Sequence, residues 1–388
     1  MRIVDIQERT VPISRYADPA NRAGGLDTSV VALTTDVRRD GAPVIGYGFA
    51  SIGRFAQGGL IRERFAPRLL ACGQADLVRA DGATIDPFCA WSAMMADEKP
   101  GGHGERCVAV GALDMAIWDA AAKIAEQPLW QLLAEVTGNE SPRRSVPVYA
   151  GGGYYFADDD IARLRDEIEG FVAQGFTHTK IKIGAKPLKE DLARIEAALS
   201  PLPGGNHLAV DAIYSYRPDT VFDAANALAP YGLWWFEDIC DPLDYALHAE
   251  VAQRYAPPIA AGEALFSASD ARNLARHGGL RPGHDALVFD PVHCYGLPGY
   301  LEIIETMERA GWSRGDFWPH GGHLFSLHLA AGLGLGGSEA NPHNFQPFGG
   351  FADDAVVEDG KTTPPDAPGI GFETRAALRS LFDSLVGG

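Results

Sequence analysis

Short apolar runs alternate with amphipathic stretches along the second part of the chain. From about Val146, seven apolar runs of five to seven residues predict strands, and the stretches between them have helical spacing. The predicted strands are 146–150, 177–183, 207–211, 233–237, 258–262, 284–290 and 315–320. The predicted helices are 158–174, 187–199, 219–229, 246–254, 267–277 and 298–310. This alternation predicts parallel βα units, and about eight units favour a closed (β/α) barrel. An open doubly wound sheet is the structural alternative.

The first part of the chain predicts an α+β unit. Residues 1–14 alternate between apolar and polar, and residues 30–37 and 43–51 are rich in β-branched side chains. The sequence Arg38-Arg39-Asp40-Gly41 supplies a turn between the last two runs, so we expect a hairpin there.

A long helix and a loop complete this unit. Residues 105–126 have helical spacing, and Pro128 ends the pattern, which predicts a mostly buried helix. Residues 15–25 are rich in turn formers and predict a loop. A short helix is predicted around 375–385, and we expect this C-terminal segment to pack back on the first unit.

Composition limits the function classes. With 33 Lys+Arg against 51 Asp+Glu the formal net charge is −18, so nucleic acid is not an expected partner. The first residues lack the apolar core of a signal peptide, and no run reaches the ~18–20 apolar residues that span a bilayer. A cytoplasmic protein without a membrane partner is therefore expected. The five cysteines share no CxxC spacing, which argues against disulfides and a thiolate zinc site.

Polar residues fall at the ends of the predicted strands. They are Lys180, Lys182, Asp211, Glu237, Glu263, Asp290 and His320. Asp211 and Glu237 are 26 residues apart, as are Glu237 and Glu263, so three carboxylates are expected to project from successive strands toward one point. A hard divalent cation relieves the repulsion in such a set, and Mg²⁺ is the natural candidate. For any single acid, a helix cap or a surface ion pair is the alternative.

The sequence Lys180-Ile181-Lys182 supplies a candidate base. Side chains alternate across a strand, so both lysines share one face, and in a barrel the apolar face packs against helices. We therefore expect both lysines to point inward and to lower the pKa of at least one of them. The alternative is a solvated edge strand with ordinary surface lysines.

Asp290 and His320 end the sixth and seventh predicted strands. A carboxylate that accepts a hydrogen bond from an imidazole fixes its tautomer and raises its pKa, which yields a proton donor. Taken alone, His320 is better explained as a hydrogen-bonded core histidine.

At these residues the sequence resembles the enolase superfamily, in its mandelate racemase-like subgroup. That subgroup has a KxK sequence on the second barrel strand and an Asp-His dyad on the sixth and seventh. The resemblance extends over the whole chain and includes residues 111–119 and 128–133 before the barrel. It implies a modified TIM barrel with an N-terminal α+β capping domain. We expect the capping domain at 1–125, the barrel at 126–355 and the C-terminal segment at 356–388.

The resemblance also implies a role for each site residue. The catalytic residues would be Lys182, His320, Asp290 and Lys180, the metal ligands Asp211, Glu237 and Glu263, and the substrate-binding residues Glu339 and Lys99. Lys182 would act as base on one face of the substrate and His320 as acid on the other. Two positions depart from the subgroup's pattern: Ile213 replaces Asn, and Asp238-Ile239 replaces Glu-Pro, although neither belongs to the expected ligand set.

Within this subgroup the chain is most similar to the D-tartrate dehydratases. The resemblance implies a lyase that removes water from tartrate by β-elimination, giving oxaloacetate through an enolate. Cations of the first unit, among them Arg15, Arg22, Arg54 and Lys99, are candidates to bind the second carboxylate. A dehydratase of another aldonate or aldarate, a racemase or epimerase, and a non-catalytic metal-binding barrel remain alternatives. The expected partners are a small anionic hydroxy acid and further copies of the chain in a homo-oligomer.

Overall fold

The computed structural model describes residues 1–13 and 26–386. The loop predicted at 15–25, with Arg15 and Arg22, lies outside the described residues. The strands are β1 (Ile3–Ile13), β2 (Leu26–Arg39), β3 (Ala42–Phe49), β4 (Val146–Gly151), β5 (Thr179–Lys182), β6 (Leu208–Asp211), β7 (Trp235–Glu237), β8 (Ile259–Ala261), β9 (Ala286–Leu287), β10 (Ser338–Ala340) and β11 (Lys361–Thr362).

The helices of the described residues lie partly before β4, and from β4 onward they alternate with the strands. They are α1 (Gly58–Leu60), α2 (Ala66–Ala71), α3 (Pro87–Met95), α4 (Glu105–Ile124), α5 (Leu129–Thr137), α6 (Asp160–Ala173), α7 (Leu188–Leu199), α8 (Val221–Leu228), α9 (Tyr245–Arg254), α10 (Ala268–His277), α11 (Leu297–Arg309), α12 (Leu324–Leu333) and α13 (Ala376–Val386). In the part of the chain that the structure describes, no helix is long and apolar enough to cross a membrane.

The first unit is a three-stranded antiparallel sheet in the order β1-β2-β3. The predicted hairpin is confirmed, since Arg38 pairs with Pro43 and Arg39 with Ala42. Asp40 has φ 48° and Gly41 has φ 82°, the left-handed conformations that a two-residue type I′ turn requires. The Asp-Gly dipeptide is what allows this tight turn.

Helix α4 packs against this sheet and confirms the long buried helix. Close approach is possible because β3 carries Gly46 and Gly48 beneath the helix. A Cβ on Gly46 would lie 2.0 Å from the Ala116 carbonyl oxygen, and one on Gly48 would lie 2.2 Å from that of Ala112. The absence of side chains at these positions thus sets the distance between sheet and helix.

The second unit is a parallel barrel and confirms the predicted fold class. The strand order is β10-β4-β5-β6-β7-β8-β9, and β10 returns to pair in parallel with β4. On the other side, Leu287 of β9 forms a parallel bridge with Phe317, which stands at the seventh strand position. Helices α6 to α12 connect these positions in order, as in a (β/α) barrel.

The prediction of an extended strand at 315–320 is wrong. Among the described residues it contributes one bridge at Phe317, after a 3₁₀ turn over Arg314–Asp316. The Ser313 backbone N–H and hydroxyl both donate to Asp316 and stabilise this turn, and Pro319 has no N–H to donate to a ladder. Helix α12 was not predicted, because all of its residues are buried and apolar residues therefore fall on every side of the helix.

The C-terminal segment contacts the first unit through α13. The rings of Phe382 and Tyr47 stack with centroids 4.4 Å apart, and the Arg9 guanidinium donates to the Ser384 hydroxyl at 2.7 Å. These contacts lie on the sheet that α4 also covers, so the two ends of the chain meet there. The three domain boundaries given above remain predictions.

Buried Asp119 of α4 connects three parts of the chain. Its carboxylate accepts hydrogen bonds from the Tyr47 N–H at 2.9 Å and the Ile370 N–H at 2.7 Å, and it pairs with Lys123 at 2.7 Å. Asp119→Ala should reduce the free energy of unfolding by about 3–5 kcal/mol, because it leaves two buried N–H groups without their acceptor and removes one of the two carboxylates that pair with Lys123.

Chemical denaturation would measure this change in the free energy of unfolding. The matched control is Glu305→Ala, which removes an exposed i,i+4 pair with Arg309 and should change stability by no more than about 0.5 kcal/mol. Equal effects of the two substitutions would contradict a linking role for Asp119.

Candidate active site

Strand register brings the predicted residues side by side at one rim of the barrel. Lys182 of β5 pairs in register with Asp211 of β6, and Asp211 pairs with Glu237 of β7. Glu263 follows β8 within two residues. Because the strands are parallel, all of these side chains reach the carboxyl ends of their strands, where barrel sites are assembled.

Four carboxylates form one group at this rim. One oxygen from each of Asp211, Glu237, Asp238 and Glu263 lies within 4.8 Å of the others, and all but Glu263 are buried. Three of these are the predicted metal ligands, and Asp238 is an addition. An oxygen-only set of this size and charge is suited to a hard divalent cation such as Mg²⁺.

Hydrogen bonds orient the two central carboxylates. The Ile213 backbone N–H donates to Asp211 Oδ1 at 2.9 Å, and the Trp235 indole N–H donates to Glu237 Oε2 at 2.7 Å. The second oxygen of each carboxylate, Asp211 Oδ2 and Glu237 Oε1, faces a lysine of β5. Burial raises the pKa of Glu237 to about 7, although the Lys180 ammonium opposes this shift.

The two lysines lie inward, as the strand alternation predicted. Lys180 Nζ is 2.5 Å from Glu237 Oε1, 3.1 Å from Glu339 Oε1 and 3.6 Å from Asp211 Oδ2. Lys182 forms an ion pair with Asp211 and lies 5.3 Å from the centroid of the Tyr154 ring. Between them, Ile181 is fully buried in the core on the other face.

The expected lowering of a lysine pKa is wrong for this arrangement. Burial disfavours the ammonium form of Lys180, but the negative charges of Glu237 and Glu339 outweigh burial and raise its pKa. Burial also acts against Lys182, and there Asp211 raises the pKa more than the neighbouring Lys180 lowers it. The sequence pattern showed that the lysines are adjacent but not that each faces a carboxylate directly.

Asp290 and His320 form the predicted dyad. His320 Nδ1 is 2.8 Å from Asp290 Oδ2, and because a carboxylate only accepts, the imidazole donates. On its other side, His320 Nε2 lies 3.1 Å from Glu263 Oε2. Burial lowers the pKa of His320, but the charge of Glu263 and the hydrogen bond to Asp290 more than offset it and raise the pKa to about 9.

The first unit contributes directly to this dyad. The Ser51 hydroxyl donates to Asp290 Oδ2 at 2.7 Å, and the Val292 and His293 N–H groups donate to Asp290 Oδ1 at 2.7 and 3.2 Å. Sequence reasoning missed Ser51, because it is 239 residues from Asp290 and lies on a loop with no distinctive pattern.

A cavity of about 650 Å³ opens at this rim. Its walls include Lys182, Glu263 and His320 from the barrel and Arg54 from the first unit. The candidate base, the candidate acid and one member of the acidic group therefore face the same space. Arg217 also lines the cavity, and the sequence pattern did not single out this cation.

Of the two predicted substrate-binding residues, Glu339 lies beside the other site residues and Lys99 does not. Glu339, on β10, is buried beside Lys180 and accepts a hydrogen bond from the Gly321 N–H at 3.2 Å. Lys99 is exposed and does not line the cavity. The structure does not bring Lys99 to the other site residues, and the adjacent Glu98 pairs with three arginines. These are Arg64 at 2.6 Å, Arg68 at 2.8 Å and Arg106 at 3.2 Å.

Comparison with known proteins places this geometry among related enzymes. Residues 27–134 match the family described as mandelate racemase / muconate lactonizing enzyme, N-terminal domain, and residues 163–378 match the family described as enolase C-terminal domain-like. The chain is 32% identical to 3,6-anhydro-α-L-galactonate cycloisomerase from Streptomyces coelicolor, over 76% of this chain and 77% of that protein. It is 27% identical to arabinonate dehydratase from Saccharolobus solfataricus, over 71% and 72%.

Solved structures resemble the whole chain. A racemase from Streptomyces coelicolor A3(2) with bound magnesium superposes with a TM-score of 0.75 at 26% identity, covering 97% of this chain and 99% of that one. L-Talarate dehydratase from Polaromonas sp. JS666, complexed with Mg and L-glucarate, has a TM-score of 0.73 at 26% identity, with 97% of each chain covered. The likeness therefore includes both the first unit and the barrel.

The charges around His320 predict how its imidazole titrates in the metal-free protein. Because its pKa is raised to about 9, His320 should hold both ring protons at neutral pH and release one only in the alkaline range. Asp290→Asn should lower the pKa of His320, since it removes the stabilising carboxylate. NMR of the imidazole resonances would follow both proteins. Titration of His320 at or below the ordinary value of 6.5 in the unsubstituted protein would contradict this electrostatic account.

Proposed function

This chain belongs to the enolase superfamily, in its mandelate racemase/muconate lactonizing enzyme family, and we propose that it is a Mg²⁺-dependent dehydratase of a small acid sugar. The proposal depends on one observation above all: Lys182, His320 and Glu263 line a single cavity. A base, an acid and a member of a buried carboxylate group are thus available to one bound molecule. Arabinonate dehydratase and L-talarate/galactarate dehydratase are among the relatives of the chain.

The carboxylate group fits a Mg²⁺ ion. We assign Asp211, Glu237 and Glu263 as its ligands, because their oxygens converge within 4.8 Å and all come from strand ends that the barrel fixes. Mg²⁺ held there would offset the negative charge that develops on the substrate carboxylate and would compete with Lys182 for Asp211.

Lys182 is the proposed base. Burial favours the free amine of Lys182 but Asp211 raises its pKa, so the free amine would form once Asp211 is drawn to the metal. In that form Lys182 would remove the proton from the carbon next to the substrate carboxylate, and the electron pair would form the double bond of an enolate. Lys180 lies deeper in the barrel among Glu237 and Glu339, where its ammonium group would stabilise the same negative charge. Burial raises the pKa of Glu339 but the charge of Lys180 lowers it by more, so Glu339 would have to gain a proton before it could donate a hydrogen bond to the enolate.

His320 is the proposed acid. Asp290 accepts a hydrogen bond from His320 Nδ1, which orients the imidazole and favours its protonated form. It would donate this proton to the hydroxyl on the next carbon as the C–O bond breaks, so that water leaves and an enol remains, which tautomerises to a 2-keto acid. Lys182 and His320 stand at the second and seventh strand positions, on different sides of the barrel, which suits an anti elimination.

We further propose tartrate as the substrate, with oxaloacetate as the product. A diacid needs a second cationic contact away from the metal, and two arginines of the cavity can provide it. The guanidinium of Arg54 lies over the Phe266 ring at 4.7 Å, and among the described residues neither Arg54 nor Arg217 forms an ion pair. The D-enantiomer is the one that the sequence resemblance implies.

A cycloisomerase is the second candidate function. It is favoured by the 32% identity to 3,6-anhydro-α-L-galactonate cycloisomerase. An isomerase retains the composition of its substrate, whereas a dehydratase releases one water, so product mass separates the two. A racemase or epimerase would use Lys182 and His320 on the same carbon and would give no keto acid.

The first prediction from this proposal concerns substrate and metal. The protein with Mg²⁺ should convert at least one acid in a panel of D-, L- and meso-tartrate, aldonates and aldarates to a 2-keto acid, and D-tartrate should be the best of them. Chelation should abolish turnover, and added Mg²⁺ should restore it. Full turnover after exhaustive chelation would contradict the metal assignment. A preference for a longer acid would correct the substrate alone.

The second prediction separates base from acid. Lys182→Ala should lose both dehydration and exchange of the α-proton with D₂O. His320→Asn should lower dehydration by about 10²–10⁴-fold while solvent deuterium still enters recovered substrate, because the base and the metal ligands remain. A keto-acid assay and proton NMR of recovered substrate would measure the two reactions.

The matched controls are Lys186→Ala and His277→Asn, since both residues are exposed and lie outside the cavity. Both controls should keep the parent rate. A His320→Asn protein that dehydrates at the parent rate would exclude the acid role.

A further inference from the structure

His323 is a buried histidine beside the dyad that the proposed mechanism does not use. It directly precedes α12 and is fully buried. Its Nε2 lies 3.1 Å from the Ser51 hydroxyl oxygen, and its Nδ1 lies 3.4 Å from the Ser326 backbone nitrogen. The Phe49 ring meets the imidazole in a T-shaped arrangement, with centroids 5.0 Å apart, and so restricts the orientation of the imidazole. His323 thus contacts the first unit on one side and the barrel on the other.

The backbone determines which nitrogen of His323 carries the proton. The Ser326 N–H can only donate, so Nδ1 accepts from it and is not itself protonated. Burial lowers the pKa of His323 to about 4, so the imidazole is neutral at neutral pH and its one proton lies on Nε2. Nε2 therefore donates to the Ser51 hydroxyl oxygen. The Ser51 hydroxyl then donates its own proton to Asp290 Oδ2, at 2.7 Å.

These groups form a chain of hydrogen bonds with one direction. It leads from the Ser326 N–H through His323 and Ser51 to Asp290 Oδ2. His320 Nδ1 donates to the same oxygen at 2.8 Å, so two donors meet on it. The Ser326 hydroxyl also donates to the backbone carbonyl of His320 at 3.0 Å. Both the imidazole and the backbone of His320 are therefore held by this set of residues.

Two backbone positions show that this contact has a structural cost. Ser51 has φ 57°, a left-handed conformation that glycine adopts more readily than serine. Gly321 has φ 112°, and a Cβ there would lie 2.6 Å from His323 Nε2 and 3.1 Å from Ser51 Oγ. A side chain is thus present where glycine would be less strained, and absent where it would separate the two partners. Both features keep His323 and Ser51 in contact.

We propose that Ser51 and His323 are positioning residues for the proton donor of the reaction. Their hydrogen bonds hold Asp290 Oδ2 where His320 Nδ1 donates to it, so that His320 Nε2 points toward Glu263 and the cavity. This inference rests on the proposed dehydratase and deepens it, because it concerns the orientation of its acid. Since Ser51 belongs to the first unit, the acid is aligned only when that unit is seated on the barrel.

Removal of the Ser51 hydroxyl tests the inference. Ser51→Gly removes the hydroxyl and suits the left-handed backbone, and Ser51→Ala removes it but keeps a Cβ. Each should lower the rate of dehydration by about 10–100-fold, while exchange of the α-proton with D₂O continues, because Lys182 and the metal ligands are unchanged. A defect of folding would lower both reactions together. Ser92→Ala, at an exposed position of the first unit, is the matched control and should change neither reaction.

Substitutions of His323 supply a second, independent comparison. His323→Gln keeps an N–H donor that can reach Ser51, whereas His323→Leu has none, so the Gln variant should retain more dehydration than the Leu variant. Thermal midpoints would show that each variant is folded. Parent-like dehydration in both Ser51 variants, or loss of dehydration and exchange in equal proportion, would overturn the inference.

Nitrogen NMR of the imidazoles tests the inference without a substrate. In the unsubstituted protein His323 should carry its proton on Nε2, and Ser51→Gly should shift the Nδ1 resonance of His320, whereas Ser92→Ala should not. A proton on His323 Nδ1, or a His320 resonance that Ser51→Gly leaves unmoved, would overturn the inference. If these resonances behave as expected but the unsubstituted protein converts no acid of the panel, the proposed dehydratase is overturned and the chain of hydrogen bonds stands.

Discussion

Charge compensation in a buried space is the constraint on which this site depends. The barrel brings Asp211, Glu237, Asp238 and Glu263 to one rim, where they are too close together to remain charged without cations. Lys180 and Lys182 enter the same space because they share the inward face of β5. Carboxylates and ammonium groups therefore stabilise one another, and a change at any of them alters the others.

The first unit does more than cover the barrel. Ser51 donates to Asp290, so the orientation of the dyad depends on a loop after β3. Helix α4 holds that unit against the barrel: a Cβ on Gly111 would lie 1.9 Å from the Val292 carbonyl oxygen, and Asp114 accepts from the Leu297 N–H at 2.7 Å. The same contacts that join the two units thus also fix the position of Asp290, two residues before Val292.

Much of this arrangement could be predicted from the sequence, because strand alternation and βα spacing are local properties. They placed Asp211, Glu237 and Glu263 one unit apart and both lysines on one face. Contacts between distant segments had no such signal. Ser51 reaches Asp290 across 239 residues, and the approach of carboxylates to each lysine, which raises rather than lowers the lysine pKa, depends on closure of the barrel. Asp238 was treated as a departure from a pattern, although its position after Glu237 already placed it at the rim.

The location of a bound divalent cation tests the central claim most directly. Two groups of side chains in the described residues could bind a metal: the four carboxylates, and Asp290 with His293 and His320. Crystals grown with Mn²⁺ would be measured at the manganese absorption edge. The account predicts one strong anomalous peak within coordination distance of Asp211, Glu237 and Glu263, with none at the histidines. A peak at Asp290, His293 and His320, or no peak at the carboxylates, would contradict it.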